Sequence, residues 1–126
     1  NGVIITQNIF RKNFPGITVN IQKGENSVVK PEKGEICEQF TAYYLNPEKT
    51  ADEDFNVDYI SNSNLNNNEP LLNRKEMIKL NSVSQKIENQ MNRYWKKNRL
   101  NPVDIEFKIV GEKTDLYIKQ VRPFND

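Results

Sequence analysis

Four polar side chains near the C-terminal end offer the clearest chemistry in the chain: Asp104, Glu106, Gln120 and Arg122. They lie on two stretches, Pro102 to Val110 and Leu116 to Pro123. Each alternates polar and apolar residues for most of its length, and a period of two predicts strands rather than helix. The five residues between them, Gly111 to Asp115, carry Gly, Lys, Thr and Asp and predict a turn. Closing this hairpin symmetrically on Lys113 sets Asp104 opposite Arg122, Glu106 opposite Gln120 and Lys108 opposite Ile118. The two-residue repeat then brings Asp104, Glu106, Gln120 and Arg122 out on one face. The other face brings Ile105, Phe107 and Ile109 against Tyr117, Lys119 and Val121, a mostly apolar surface able to pack on a core.

A carboxylate, an amide and a guanidinium side by side on a sheet suit a magnesium–nucleotide site. Mg²⁺ takes one or two protein oxygens and fills its shell with water and phosphate. Glu106 and the Gln120 carbonyl can supply those oxygens. Arg122 can fork onto a phosphate and stabilise charge during transfer, with Asp104 across the ribbon to orient it. The same pattern also fits a solvated hairpin face with ordinary cross-strand pairs, since surface strands are commonly polar on one side.

The elements that must position these residues are legible in outline. Gly2 to Thr6 reads as a short strand buried on both faces, and Gln7 to Gly16 as a loop closed by Pro15-Gly16. Ile17, Val19 and Ile21 alternate with polar residues as a half-buried strand. Lys23-Gly24-Glu25 reads as a turn; the carboxylate of Glu25 faces nucleotide or water, and Lys23 and Lys30 approach phosphate or solvent. Glu35 to Leu45 contains a strand with Phe40, Ala42 and Tyr44 on one side and Gln39, Thr41 and Tyr43 on the other. Tyr43 and Tyr44 suit base stacking, but strand aromatics more often fill cores. Asn46 to Pro70 is rich in Asn, Asp and Glu and reads as loop, broken by a brief strand at Val57 to Ile60. Its Asp52-Glu53-Asp54 triplet is expected in solvent rather than around a metal.

Asn73 and Glu76 have the spacing of a capping box. Met77, Leu80, Val83 or Ser84, Ile87, Met91 and Tyr94-Trp95 then recur at helical spacing, an amphipathic helix of about six to seven turns. Arg93, Lys96, Lys97 and Arg99 crowd its C-terminal end, where the macrodipole favours cations. A nucleic-acid-binding helix is the alternative reading of that cluster. Pro102 is expected to stop the helix and launch the hairpin.

Asp104-Ile105-Glu106-Phe107 followed by Leu116-Tyr117-Ile118-Lys119-Gln120-Val121-Arg122-Pro123 resembles the closing hairpin of the ATP-grasp nucleotide-binding domain in the pyruvate phosphate dikinase and phosphoenolpyruvate synthase family. Gly2-Val3 with Thr6, Asn8, and Gln22, Gly24 and Glu25 resemble that domain's earlier motifs, although Ile9 replaces the usual proline and the Gln-Gly-Glu has one extra residue. The resemblance covers essentially the whole chain and is tightest from Leu71 onward. It implies metal binding by Glu106 and Gln120, nucleotide or phosphate binding by Asp104, Arg122 and Glu25, and a catalytic role for Arg122. ATP and Mg²⁺ are the implied cofactors. The implied partners are the rest of a parent chain, with the other half of the cleft and a phosphohistidine domain, and a small-molecule phosphoryl acceptor.

Composition narrows the classes. The 126 residues suit at most one domain with a modest core, and the 36% hydrophobic and 10% aromatic content is within globular range. Eighteen basic against seventeen acidic residues leave a net charge of +1, so no global field favours nucleic acid. One cysteine, Cys37, excludes an internal disulfide, and the absence of histidine excludes His-dependent triads and zinc sites. The longest apolar run, Ala42 to Leu45, is too short to span a bilayer. The chain opens Asn1-Gly2-Val3 without a methionine, and we expect the C-terminal portion of an ATP-grasp domain from a longer cytoplasmic protein, α+β, an antiparallel sheet on one long helix. With no acceptor histidine and no second cleft wall, it is expected to be inactive alone. The alternative is a non-catalytic interaction or scaffold module of the same fold.

Overall fold

Period-two alternation and one capped helix account for almost every element. The computed structural model describes residues 1–24, 28, 30–46, 48, 51–96, 101–110 and 115–124. In chain order these form β1 (Gly2–Ile5), β2 (Gly16–Ile21), β3 (Glu38–Tyr44), a 3-10 turn (Asp52–Asp54), β4 (Phe55–Ser61), α1 (Arg74–Tyr94), β5 (Val103–Val110) and β6 (Asp115–Pro123). The strands make one six-stranded sheet in the order β4-β3-β2-β1-β5-β6, with every neighbouring pair antiparallel. The class is α+β, as the alternation implied.

The core sits between the sheet and α1. Cross-strand register aligns Tyr59, Phe40, Val19, Ile4, Ile105 and Val121 in one row on the helix side. Phe40, Val19, Ile4 and Ile105 are fully buried. The expectation that β1 is buried on both faces is corrected: Val3 and Ile5 are only half-buried, because among the described residues no helix covers their side of the sheet. Gly16 is required by a close approach, since a Cβ there would collide with the Ala42 carbonyl oxygen.

α1 begins as its sequence predicts. The Asn73 side chain accepts from the Glu76 amide at 2.8 Å, and the Asn73 amide donates to the Glu76 carboxylate at 3.0 Å. Its end differs from expectation. The helix stops at Tyr94, and Lys96 turns the chain aside in the left-handed region (φ 57°), well before Pro102. Lys97 and Arg99 lie outside the described residues.

The buried stripe is also rotated from the apolar one. Ser84, Glu88 and Asn92 are buried while Ile87 and Met91 are half-buried and Tyr94 is exposed. Each polar residue holds a specific partner, which offsets its desolvation. Ser84 donates to the Leu80 carbonyl at 2.7 Å, Asn92 donates to the Asn101 carbonyl at 2.9 Å, and Glu88 bonds with the Thr6 hydroxyl.

The Asn-rich segment is more ordered than a plain loop. β4 runs beyond the expected Val57 to Ile60 because Phe55 pairs with Tyr44 and Ser61 with Gln39. Asn64 accepts from the Ile36 amide at 2.9 Å and donates to the Gly34 carbonyl at 2.7 Å, while Ser63 donates to the buried Gln22 amide oxygen. Asn67 and Asn68 both adopt positive φ, a region asparagine tolerates better than most side chains. Asp52-Glu53-Asp54 forms the 3-10 turn, and Arg74 donates to the Asp52 carbonyl at 2.6 Å.

Glu38 is the least comfortable core residue. It is fully buried, one oxygen accepts from the Leu71 amide at 3.1 Å, and the other has no partner. Burial pushes its carboxyl above the ordinary range, and does the same for Glu88.

Two outcomes are expected. Asn73→Ala removes half of the capping box and should lower unfolding free energy by about 1 kcal/mol in urea titrations. For Glu38, the folded state holds the proton to higher pH than the unfolded state. Its contribution is full below the unfolded carboxyl range and is lost as pH rises through the raised folded value. Glu38→Gln should therefore reduce the loss of stability as pH rises from the ordinary carboxyl range through the raised value of the folded state; an unchanged pH dependence would contradict this.

Candidate functional site

The β5–β6 pairing sets the site. Asp104 lies opposite Arg122, and Glu106 opposite Gln120, the register expected from the sequence. Beyond Glu106 the register shifts: Phe107 meets Ile118, Lys108 meets Tyr117 and Ile109 meets Leu116. The expected pairs of Lys108 with Ile118, Phe107 with Lys119 and Ile109 with Tyr117 are thereby corrected. Lys119 is the extra residue, as in a β-bulge, and the symmetric closure on Lys113 had no way to include it. Residues 111–114 themselves lie outside the described residues. The bulge puts Ile118 and Leu116 on the apolar side and moves Tyr117 to the polar one, where the Lys108 ammonium sits 5.6 Å from its ring centre. Lys119 reaches the Asn1 side-chain oxygen at 2.9 Å.

Arg122 Nε donates to Asp104 Oδ2 at 3.2 Å. The Arg122 side chain is 61% exposed and that of Asp104 only 16%, so the carboxylate anchors an arginine that remains largely at the surface. Asp104 Oδ1 is buried without a partner. An orphaned carboxylate oxygen beside an exposed guanidinium is costly unless a donor or cation completes it. Glu106 is half-buried and Gln120 exposed.

These residues end two rows that cross the sheet face opposite α1. One row runs Asp58, Thr41, Thr18, Ile5, Asp104 and Arg122; the other runs Ser61, Gln39, Asn20, Val3, Glu106 and Gln120. The β1–β2 loop roofs the β3–β2 end of the first row. Thr18 Oγ1 donates to the Gln7 carbonyl at 2.7 Å and accepts from the Ile9 amide at 3.1 Å. Asn8 Oδ1 accepts from the Phe10 and Arg11 amides at 3.2 and 2.9 Å. Ile9 stands where the resemblance leads one to expect proline, and only a residue with an N–H can make its bond to Thr18.

Under this roof, Phe14 packs on Tyr43 at 5.4 Å between ring centres, and Tyr43 donates to Asp58 at 2.6 Å. That bond, with burial, raises the Tyr43 phenol above its ordinary value. Arg11 approaches Asp58 at 4.0 Å. The cluster of Arg11, Tyr43, Asn56 and Asp58 escaped the sequence reading because its members are scattered over three elements with no shared motif. Tyr43 and Tyr44 both pack on rings, the latter edge-on to Phe55 at 5.1 Å, so neither offers a stacking platform.

The Gln-Gly-Glu region divides. Glu25 lies outside the described residues. Gly24 takes φ 75°, as a turn glycine does. Gln22 points inward, donating to the Ile36 carbonyl at 3.0 Å and accepting from the Lys23 amide at 2.9 Å. Cys37 is half-buried and its thiol is raised by burial, the opposite of what a nucleophile needs. Among the described residues, no three of Asp, Glu, Cys or His gather as a metal cluster, and no helix is long and apolar enough to cross a membrane.

No protein-family model, curated protein or solved structure matches this chain.

The roof rests on Thr18. Thr18→Val keeps the volume but deprives the Gln7 carbonyl and Ile9 amide of their partner, and should cost about 1–3 kcal/mol. Faster hydrogen exchange at the Ile9 amide would mark the loss as local to this loop.

Proposed function

We propose that the open sheet face is one wall of a magnesium–nucleotide cleft, in an ATP-dependent phosphotransferase of the pyruvate phosphate dikinase and phosphoenolpyruvate synthase kind. The observation that carries this reading is the register of Asp104 with Arg122 and Glu106 with Gln120, on a sheet face that α1 leaves bare. The donor set suits the metal. Mg²⁺ asks for one or two protein oxygens, and Glu106 and Gln120 offer a carboxylate and an amide carbonyl on adjacent strands. The unpartnered Oδ1 of Asp104 also favours a cationic or donor-bearing occupant. Bound there, the metal would neutralise charge on the nucleotide phosphates.

The chain's own residues then divide the work. Asp104 holds Arg122 by its Nε, which leaves the terminal nitrogens of the fork to take phosphate oxygens in a bidentate grip. Arg122 stabilises the charge that builds on the phosphoryl group in transit. The roof over Thr18 and Tyr43 excludes water from one end of the wall. The acceptor histidine and the opposite wall belong to other parts of a parent chain, since this sequence contains no histidine.

The test uses the full-length parent with ATP labelled separately at the β and γ positions. Acid-labile phosphohistidine carrying the β label is expected in the wild type, reduced about 10³-fold in Arg122→Ala. The 126-residue chain alone should show no ATP turnover. No label from either position, together with no Mg-ATP binding, would sink the reading and favour a scaffold built on the same sheet.

A further inference from the structure

On the opposite side of the sheet, α1 covers only part of the surface available. A helix is about 10 Å across, whereas six strands about 4.8 Å apart span about 24 Å. On the β5–β6 flank, Ile109, Leu116 and Val121 are half-buried and Ile118 is 40% exposed. On the side of α1 that carries Leu80, helical spacing also places half-buried Val83 and Ile87 and, at the helix end, Tyr94 with 78% exposure. One end of the groove between them is lined by Glu76, Lys79, Leu80, Ile109 and Leu116.

The helix side of this groove has an ordered pattern. Leu80, Val83, Ile87, Gln90 and Tyr94 follow at steps of three and four, the spacing of a helix–helix seam. Beside the seam, Lys79, Lys86 and Arg93 stand seven residues apart, about 10.5 Å per step at 1.5 Å per residue, and all are exposed. Of the two carboxylates of α1, Glu88 is buried against Thr6, and Glu76, which also closes the capping box, lines only the N-terminal end of the groove, which leaves Lys86 and Arg93 with no carboxylate of α1 beside them. The rim is therefore cationic, in a chain whose net charge is only +1.

We propose that this groove seats an amphipathic helix from another polypeptide segment. Its apolar stripe covers Val83, Ile87, Ile118 and Val121, and its carboxylates, spaced by seven, meet Lys79, Lys86 and Arg93. Charge complementarity and the seam together select this occupant. A nucleic acid would satisfy the cations through its phosphates but leave the apolar seam wet. A second copy of α1 would bring the same cations and repel. The site lies across the sheet from Asp104 and Arg122 and stands whether or not a nucleotide binds there.

The probe is a fluorescein-labelled, three-heptad peptide with Leu at a and d and Glu at e and g, titrated against the intact chain by anisotropy. A matching peptide carries Lys in place of Glu. The Glu peptide should bind, and bind less tightly as salt rises. Lys86→Glu should weaken it about tenfold and improve binding of the Lys peptide. Ile118→Ser should weaken the Glu peptide about tenfold by removing apolar contact, with helix content unchanged by circular dichroism in both variants. No binding of the Glu peptide would overturn the proposal. So would tighter binding of duplex DNA or phosphatidylserine vesicles, or indifference to Ile118→Ser.

Discussion

The hydrogen bonding of β1 to β2 on one side and β5 on the other holds this structure together. Ile4 lies opposite both Val19 and Ile105, so the first strand of the chain joins two halves that are otherwise separate hairpin systems. The Thr6 amide extends this pairing to the Val103 carbonyl at 3.0 Å, and Thr6 Oγ1 accepts from the Val103 amide at 2.8 Å. Glu88 of α1 engages the same threonine. Sheet and helix are thus tied at the point where β5 begins, immediately before Asp104. The candidate site inherits its geometry from that junction, because Asp104 and Glu106 are fixed by β1 before β6 adds Arg122 and Gln120.

A sheet with one helix among the described residues has two unlike faces, and each side chain's neighbours follow from which face it occupies. On the helix face, large apolar residues pack fully, and the few polar ones survive only with a dedicated partner. Glu38, with one bonded and one orphaned oxygen, shows what that costs: burial pushes it toward the neutral form. On the open face, polar side chains line up in cross-strand rows. Only the end under the β1–β2 loop is dry, which is why Thr18, Thr41 and Tyr43 are buried there.

The bulge at Lys119 matters for both faces. With it, Asp104–Arg122 and Glu106–Gln120 keep their pairing while the rest of β6 slips by one residue. A one-residue slip in a strand exchanges its faces. Ile118 and Leu116 therefore turn toward α1 and Tyr117 turns away. Without the bulge, a lysine would have met Phe107 at the edge of the core. The apolar groove is in this sense a consequence of one inserted residue, while the polar site lies on the near side of the bulge and keeps its register.

Short-range order decided what the sequence made legible. The alternation of β2, β3 and β5 and the capping box of Asn73 and Glu76 follow from periods and spacings within a few residues, and the face shared by Asp104, Glu106, Gln120 and Arg122 follows from two such periods joined by one short turn. Those signals act locally, through side-chain direction and backbone propensity. The bulge, the burial of Ser84, Glu88 and Asn92 in place of a more apolar stripe, and the roof of Asn8 and Thr18 did not follow from them. Most depend on a partner outside the residue's own element: Asn101 for Asn92, Thr6 for Glu88, Gln7 and Ile9 for Thr18. A polar side chain is stable in a core only where such a partner meets it. The meeting is set by the packing of whole elements, which periodicity along one element does not encode.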